Sequence, residues 1–237
     1  MRVCIAQPEH LPWLGYFGKV ASCDVFVFLD IVQFKRRYFE NRNRVRAASG
    51  PAWVTVPVRS KGKYTQRLAD VEIDQERHWQ RPYWRTLEMS YGRAPFFERY
   101  AGALSDLILG PRWSTLVDLN IAIVEWGASA LGFSPRFVRA SALGADGRST
   151  ELLLDICRRV DASAYLSGPS GRDYIDEGQF QAARIALEYQ DFRHPVYRQV
   201  YEPFMTQMSF VDLLFNHGAE AGPLLMSGQT VRLSQRS

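Results

Sequence analysis

Two short hydrophobic runs near the start of the chain are separated by a polar, proline-containing bend and an amphipathic stretch. The runs cover residues 3–6 and 25–29, the bend begins at Gln7, and a helix is predicted from Gly15. Strand, turn, helix and strand in this order are typical of a parallel α/β domain. In such domains ligands bind where the C-terminal ends of strands meet the N-termini of helices. We therefore expect the first turn to contribute to a ligand site.

The rest of the chain alternates between predicted strands and amphipathic helices, with a helical block in the middle third. Strands are predicted at 53–58, 68–73, 136–142, 162–167 and 185–189, and helices at 74–91, 94–109, 114–131, 149–160 and 208–217. This order predicts an α/β fold with a mostly parallel sheet and flanking helices, formed by 1–73 and 133–237. Residues 74–132 are predicted to form a helical insertion or subdomain.

Composition indicates a packed globular protein. Hydrophobic residues make up 46% of the chain and aromatic residues 13%, which is too hydrophobic for a disordered chain. No hydrophobic run approaches the roughly 20 residues that span a bilayer, and the first residues begin a strand rather than a signal peptide. No membrane insertion is therefore expected. Cys4, Cys23 and Cys157 form no CxxC pair, which favours a reducing compartment, and the cytoplasm is the predicted location.

Positive charge is concentrated in the first part of the chain. Residues 1–64 contain 11 Lys and Arg against 4 Asp and Glu, whereas the remainder contains 18 against 21. This asymmetry favours an anionic partner such as a nucleotide, a sugar phosphate or RNA. A solvated basic surface is the alternative, and an excess of charge more often indicates such a surface.

The first turn carries candidate binding and catalytic groups. His10 would lie near the free N–H groups of the following helix, where it could donate to a phosphate or transfer a proton. A rigid turn with a surface histidine is the alternative. Gly15 would allow a ligand to approach the backbone closely, and Gln7 and Tyr16 are predicted to bind beside it.

The second strand leads into an acidic residue and then into a basic, amide-rich segment. Asp30 could bind a ribose hydroxyl or a metal, or cap the next turn. Arginine binds phosphate and carboxylate with two parallel hydrogen bonds, and asparagine amides both donate and accept, as base or sugar recognition requires. The binding residues predicted in this segment are Gln33, Lys35, Arg36, Asn41, Arg42, Asn43 and Arg44.

A second glycine-rich turn, residues 166–174, follows a predicted strand. Its free N–H groups and hydroxyls would form an anion-binding nest, and a plain tight turn is the alternative. The pattern matches neither a Walker A loop nor GxGxxG. The residues predicted to bind here are Ser167, Gly168, Ser170 and Gly171, and Asp173 is a candidate catalytic base. Two such turns after two strands of one sheet predict a shared crevice.

The last predicted helix carries Asp212 and Asn216 four residues apart on one face. These two residues could line the crevice or hydrogen-bond each other. The sequence contains no HExxH, no GxSxG and no cluster of Cys and His with the spacing of metal ligands, so no metal site is predicted.

Four blocks of the sequence together resemble the WbqC-like protein family of bacteria. They are QPEHLPWLGYFGKVASCDVFVFLD, VQFKRRYFENRNRVR with WVTVPV, STELLLDICRRVDASAYLSGPSGRDYID, and MSFVDLLFNHG. The resemblance extends from residue 3 to residue 218. It implies a link to gene clusters for O-antigen and other surface polysaccharides, and to specialised-metabolite pathways. Position 10, here His10, is often aromatic in members of that family.

A more distant likeness concerns nucleotide chemistry. The first turn occupies the place of the HxGH-type turn of nucleotidylyltransferases and pantothenate synthetase, with Tyr16 near the position of its second histidine. The stretch SGPSGRDY is similar to a segment that contacts nucleotide in pantothenate synthetase. By this analogy the fold is expected to be nucleotide-binding and HUP-like. ATP or another nucleotide is then a candidate cofactor or substrate, although the residues alone identify no cofactor.

These observations together predict a group-transfer enzyme. It would move an acyl or aminoacyl group to an amine such as an amino sugar, with a nucleotide or nucleotide-linked substrate in the crevice. Asp30, Asp173 and Asp212 are the candidate bases, because a carboxylate with a raised pKa can accept an ammonium proton. The alternative is a non-catalytic nucleotide-binding, RNA-binding or scaffold protein, and transfer RNA is a candidate partner in either case.

Overall fold

A six-stranded sheet forms the centre of the protein, which the computed structural model describes over residues 1–110 and 112–234. The strands are β1 (Arg2–Ala6), β2 (Val25–Phe28), β3 (Arg42–Ala47), β4 (Gly50–Thr55), β5 (Arg136–Arg139), β6 (Ala164–Ser167), β7 (Ala186–Phe192) and β8 (Gln229–Leu233). The helices are α1 (Leu14–Ala21), α2 (Gln80–Tyr91), α3 (Phe97–Leu109), α4 (Leu116–Ala130), α5 (Ala140–Leu143), α6 (Ser149–Arg159), α7 (Glu177–Ala182), α8 (Phe210–His217) and α9 (Ala221–Ser227).

The strand order of the sheet is β5-β2-β1-β6-β7-β8. The first five strands in this order are parallel, and β8 pairs with β7 in the antiparallel direction at one edge. The predicted α/β fold with a mostly parallel sheet is therefore confirmed. Strands β3 and β4 form a separate antiparallel hairpin in which Arg44 pairs with Trp53.

Side chains of the central strands face a hydrophobic cluster on each side of the sheet. Val3 and Ile5 of β1 face one hydrophobic cluster, which also contains buried residues of α6. Cys4 of β1 faces a second, larger cluster that includes residues of α1, α4 and α8. Because side chains of a strand alternate between faces, these runs are hydrophobic throughout, as buried parallel strands are.

The helices of the middle third pack directly onto this structure. Leu87 of α2, Leu104 of α3 and Val124 of α4 belong to the same large cluster as Phe26 of β2 and Val45 of β3. The hairpin and the middle helices therefore lie on one face of the sheet, and α6 lies on the other.

The chain reverses its direction across the sheet between β1 and β6. From β1 it moves to β2 and then β5 on one side, and it later returns to β6 on the opposite side of β1. Val3 of β1 pairs with Val25 on one side and with Tyr165 on the other. Ligands of open α/β sheets bind at such a switch point, beyond the carboxyl ends of the strands.

Several predicted elements have different bounds or a different type. Residues 68–73 contain a 3-10 turn at Leu68–Asp70 instead of a strand. The helix predicted from Asp74 begins at Gln80, with Pro82 in its first turn, where a missing N–H costs nothing. Helix α9 and strand β8 were not predicted, because both are short and β8 is a largely exposed edge strand.

Candidate functional site

A cleft of 330 Å³ lies at the switch point, and we call it the switch-point cleft. Its lining residues come from the turn after β1, helix α1, strand β3, the turn after β6, strand β7 and two loops: Glu9, Trp13, Gly15, Tyr16, Lys19, Tyr38, Phe39, Asn43, Arg44, Gly168, Pro169, Ser170, Gln190 and Gln207. The volume falls in the range of small-molecule sites, about 300–1,000 Å³. Of the predicted binding residues, the cleft brings together Gly15, Tyr16, Asn43, Arg44, Gly168 and Ser170.

Glu9 is the acidic residue that lines this cleft. Its Oε2 is buried and has no hydrogen-bond partner among the described residues. Burial raises the pKa of Glu9 to about 7, and the positive charge of Lys19 opposes this rise. A carboxyl group of this kind exchanges a proton readily near neutral pH. Sequence analysis did not single out Glu9, which lies in the first turn, three residues after the end of β1.

A buried polar network fixes the backbone on both sides of Glu9. The side-chain amide of Asn120 in α4 donates to the carbonyl oxygens of Pro8, at 2.8 Å, and Glu40, at 2.7 Å. Asn120 Oδ1 lies 2.9 Å from His10 Nδ1 and must accept, so His10 carries its proton on Nδ1. His10 Nε2 then accepts from the Tyr83 hydroxyl at 2.7 Å.

His10 therefore lies in the interior and outside the cleft. It is fully buried, and both ring nitrogens are occupied by Asn120 and Tyr83. Burial lowers the pKa of His10 to about 4, so the ring is neutral at physiological pH. This placement does not support the predicted role of His10 in proton transfer or phosphate binding, and gives it a part in holding the turn.

We expect Asn120→Ala to destabilise the protein by about 2–4 kcal/mol, because it leaves the carbonyls of Pro8 and Glu40 and the His10 ring N–H without partners. Urea unfolding followed by circular dichroism measures the change. Asn216→Ala is the control, because the Asn216 amide bonds only the Asp212 carbonyl within its own helix. Equal losses of stability in the two variants would contradict the role of Asn120 in fixing the first turn.

The turn after β6 leaves room for an anion beside Lys19. Gly168 has an ordinary extended conformation, with φ −69°, so its backbone does not require glycine. A Cβ at this position would lie 3.9 Å from Lys19 Nζ. The absence of a side chain therefore keeps the space beside the ammonium group open. Ser170 lies in the same turn, two residues further on.

The remaining predicted residues of this turn have other positions. Ser167 is buried and donates to the Gly168 carbonyl at 3.1 Å. Gly171 is buried beneath the turn, where a Cβ would collide with Ser167. Asp173 is exposed at the end of the turn. Ser167 and Gly171 thus shape the turn from behind.

Gly15 and Gln7 position the first turn. A Cβ on Gly15 would overlap the indole of Trp13, so the glycine lets Trp13 fold over the start of α1. The Gly15 carbonyl accepts from Gln190 Nε2 at 2.7 Å, which ties α1 to β7. The Gln7 carbonyl accepts from the Tyr16 hydroxyl at 3.1 Å.

The hairpin and a loop before α8 also contribute to the lining of the cleft. Arg44 Nη2 donates to Gln207 Oε1 at 3.1 Å, and Arg44 Nε is buried without a partner among the described residues. Asn43 is buried, and its amide donates to the carbonyls of His10 and Leu11 at 3.2 and 2.9 Å. The cleft lining thus contains a second cation, Arg44, in addition to Lys19. Asn43 joins the hairpin to the first turn.

Two predicted catalytic aspartates lie away from the cleft. Asp30 is buried and accepts from the backbone N–H and the hydroxyl of Ser141, at 2.9 and 2.6 Å, at the start of α5. Asp212 is buried in α8 and accepts from the Tyr197 hydroxyl and from Gln199 Nε2, both at 2.7 Å. Asn216 donates to the Asp212 carbonyl. The geometry of these residues supports structural roles.

The basic segment divides between the cleft and a second groove. Arg36, Asn41 and Arg42 line a neighbouring groove of 630 Å³. Lys35 lies over the Tyr38 ring, and the Gln33 amide donates to the Tyr64 carbonyl at 2.9 Å. The predicted segment therefore lines two neighbouring depressions of the surface.

Two further classes of feature are not found in the part of the chain that the structure describes. Within 1–110 and 112–234, no helix combines the length and hydrophobicity needed to cross a membrane. In the same ranges, no three or more His, Cys, Asp or Glu side chains form a group suited to a metal ion.

The fold and the cleft define an α/β protein with a mostly parallel sheet and a cleft at its switch point. The model of the WbqC-like protein family matches residues 7–223, so the chain belongs to that family. The chain is also similar to the uncharacterized protein Rv1507c of Mycobacterium tuberculosis, with 36% identity over 222 residues, which cover 93% of this chain and 95% of that protein. The comparison with solved structures found no match.

Proposed function

We propose that this protein is a group-transfer enzyme that holds a nucleotide or nucleotide-linked donor in the switch-point cleft. It transfers an acyl or aminoacyl group from that donor to an amine, such as an amino sugar. The observation that carries the proposal is Glu9, whose Oε2 is buried without a hydrogen-bond partner among the described residues, in a cleft that Lys19 and Arg44 also line. An acid and two cations in one cleft suit proton transfer beside an anionic substrate.

The proposed reaction begins with proton removal from the amine. The acceptor reaches the cleft as an ammonium ion, and the Glu9 carboxylate takes one proton from its nitrogen. The nitrogen lone pair then forms a C–N bond with the donor carbonyl carbon. The bond between that carbon and the leaving oxygen breaks, and the oxygen keeps the electron pair. Glu9 returns its proton to this oxygen, and the second proton of the nitrogen passes to solvent.

The cations of the cleft explain why the leaving group is expected to be a phosphate or nucleotide. Lys19 and Arg44 place two positive charges in the lining of the cleft, where they neutralise a phosphate and the charge that develops on the leaving oxygen. Gly168 keeps the space beside Lys19 free. Trp13, Tyr38 and Phe39 supply aromatic surface on which a base or sugar ring packs.

We place this reaction in cytoplasmic biosynthesis of a surface polysaccharide or specialised metabolite, following the association that the WbqC-like resemblance implies. The competing proposal is a binding or scaffold protein without catalysis. It predicts that Glu9→Gln leaves the pathway product unchanged, whereas an enzyme that uses Glu9 as its base loses the product.

A thermal-shift screen with ATP, other nucleotides, nucleotide sugars and aminoacyl-adenylate analogues tests the binding step. We expect at least one compound to raise Tm by about 5 °C at saturating concentration. Gly168→Val, which fills the space beside Lys19, and Lys19→Ala are expected to abolish this shift.

Gly102→Val is the matched control, because Gly102 lies on α3 with no atom within 4 Å of a Cβ. The control should keep the full shift. The proposal fails if no compound stabilises the wild-type protein, or if the shift persists unchanged in Gly168→Val.

A further inference from the structure

We propose that a second surface, which adjoins the switch-point cleft, binds a single-stranded nucleic acid. The surface is the 630 Å³ groove formed by the hairpin and the segments that precede and follow it, which we call the arginine groove. Its lining residues are Phe34, Arg36, Arg37, Asn41, Arg42, Thr55, Pro57, Val58, Ser60 and Arg77. Four of them are arginines, and this lining contains no acidic side chain.

The sequence concentrates positive charge around the arginine groove. Residues 33–67 contain ten Lys and Arg residues and one acidic residue, Glu40. Glu40 is buried, and burial raises its pKa to about 7, so it is only partly ionised at neutral pH and offsets at most one of the ten positive charges. Arg77, at the end of the groove, is paired with Asp74 at 3.4 Å. The free charge is therefore concentrated toward the hairpin.

Neutral acceptors orient two of the groove arginines without neutralising them. Arg36 Nη2 donates to the carbonyl and hydroxyl oxygens of Ser60, both at 2.9 Å. Arg42 Nη2 donates to the Arg37 carbonyl at 2.5 Å, and Arg42 Nε is buried without a partner among the described residues. A guanidinium group held by neutral oxygens keeps its full charge and several donors for an anion.

Exposed aromatic rings alternate with these cations. Trp53 and Tyr38 are each 47% exposed, and Tyr64 is 70% exposed. The Arg42 guanidinium lies 4.3 Å from the centre of the Trp53 ring, and the Arg36 guanidinium lies 5.4 Å from that of Tyr64. Exposed rings among cations are the features on which bases of a single strand stack while its phosphates are neutralised.

The length of the surface favours a polymer over a single nucleotide. Arg42 lines the arginine groove, and Arg44, two residues further along β3, lines the switch-point cleft. Trp53 lies beside both, with Arg44 at 5.9 Å from its ring centre. Two residues of a strand span roughly 7 Å, so these cations contact successive phosphates of one strand better than one small anion.

The test is fluorescence anisotropy with a labelled oligouridylate of about 12 nucleotides, the site size of such surfaces being about 4–16. We expect binding that weakens as salt rises. Trp53→Ala and Arg42→Ala are each expected to weaken binding about 5- to 100-fold. Circular dichroism checks their fold, and Arg36→Ala, at an exposed position, provides a third variant with the same expected direction.

Arg158→Ala is the charge-matched control, because Arg158 is exposed on α6, on the opposite face of the sheet. It should leave binding unchanged, as should Glu9→Gln, which separates this inference from the proposed reaction. Absence of binding at low salt would overturn the inference. A second outcome would also overturn the inference. If Trp53→Ala binds the oligonucleotide as tightly as the wild type does, and binds inorganic polyphosphate equally well, the groove is a general anion site.

Discussion

Glu9→Gln is expected to lower the rate of group transfer by about 10²- to 10⁴-fold, the usual contribution of a general base. The substitution keeps the size of the side chain and removes its capacity to accept a proton. In the wild-type enzyme the rate is expected to rise with pH through about 7, because Glu9 must be ionised to act. The measurement is the pH dependence of amide formation from the donor found by the thermal-shift screen.

The same substitution is expected to change how stability depends on pH. The folded protein holds the Glu9 proton up to about pH 7, whereas the ordinary value is 4.5. Between these values the folded state binds more protons than the unfolded state, so stability falls as pH rises. In urea unfolding, the free energy of unfolding of Glu9→Gln should decrease by about 1–3 kcal/mol less than that of the wild type over this pH range. Glu151→Gln, at an exposed position on α6, should follow the wild-type curve.

Asp212→Ala is expected to destabilise the protein by about 3–5 kcal/mol. It leaves the Tyr197 hydroxyl and one hydrogen bond of Gln199 without an acceptor in the interior. Gln199 also holds Met205, accepting from its backbone N–H at 2.8 Å. This loop carries Gln207, which lines the switch-point cleft. We therefore expect weaker ligand binding in Asp212→Ala as well as lower stability.

Two further variants serve as controls for this prediction. Asp212→Asn keeps an acceptor for Tyr197 and Gln199 and should lose less than half as much stability. Asp173→Ala removes an exposed carboxylate and should lie within about 0.5 kcal/mol of the wild type. If Asp212→Ala and Asp173→Ala unfold at the same urea concentration, the buried carboxylate does not hold the loop.

The fold was predictable because its main signals are local. The run at 3–6, the bend after Gln7 and the run at 25–29 specify a strand, a turn and a strand without any distant contact. The same holds for the strand and glycine-rich turn around Gly168. The order of such units then restricts the sheet to few arrangements.

The roles of individual polar residues were less predictable, because distant partners decide them. Asn120, which fixes the turn around Glu9, is 112 residues away from Pro8 in the chain. Asp30 finds its partner Ser141 at a separation of 111 residues. Neither contact leaves a pattern in the sequence, so neighbouring polar residues such as Glu9 and His10 cannot be assigned to cleft or core from the chain alone.

The most direct test of the account is a carbon-13 NMR titration of the glutamate carboxyl groups, with the Glu9 signal assigned from its loss in Glu9→Gln. We expect a Glu9 titration midpoint near 7, because Oε2 of the carboxyl lies buried in the switch-point cleft without a hydrogen-bond partner among the described residues. A midpoint near the ordinary value of 4.5 would show a solvated carboxylate, and would contradict the assignment of Glu9 as the base.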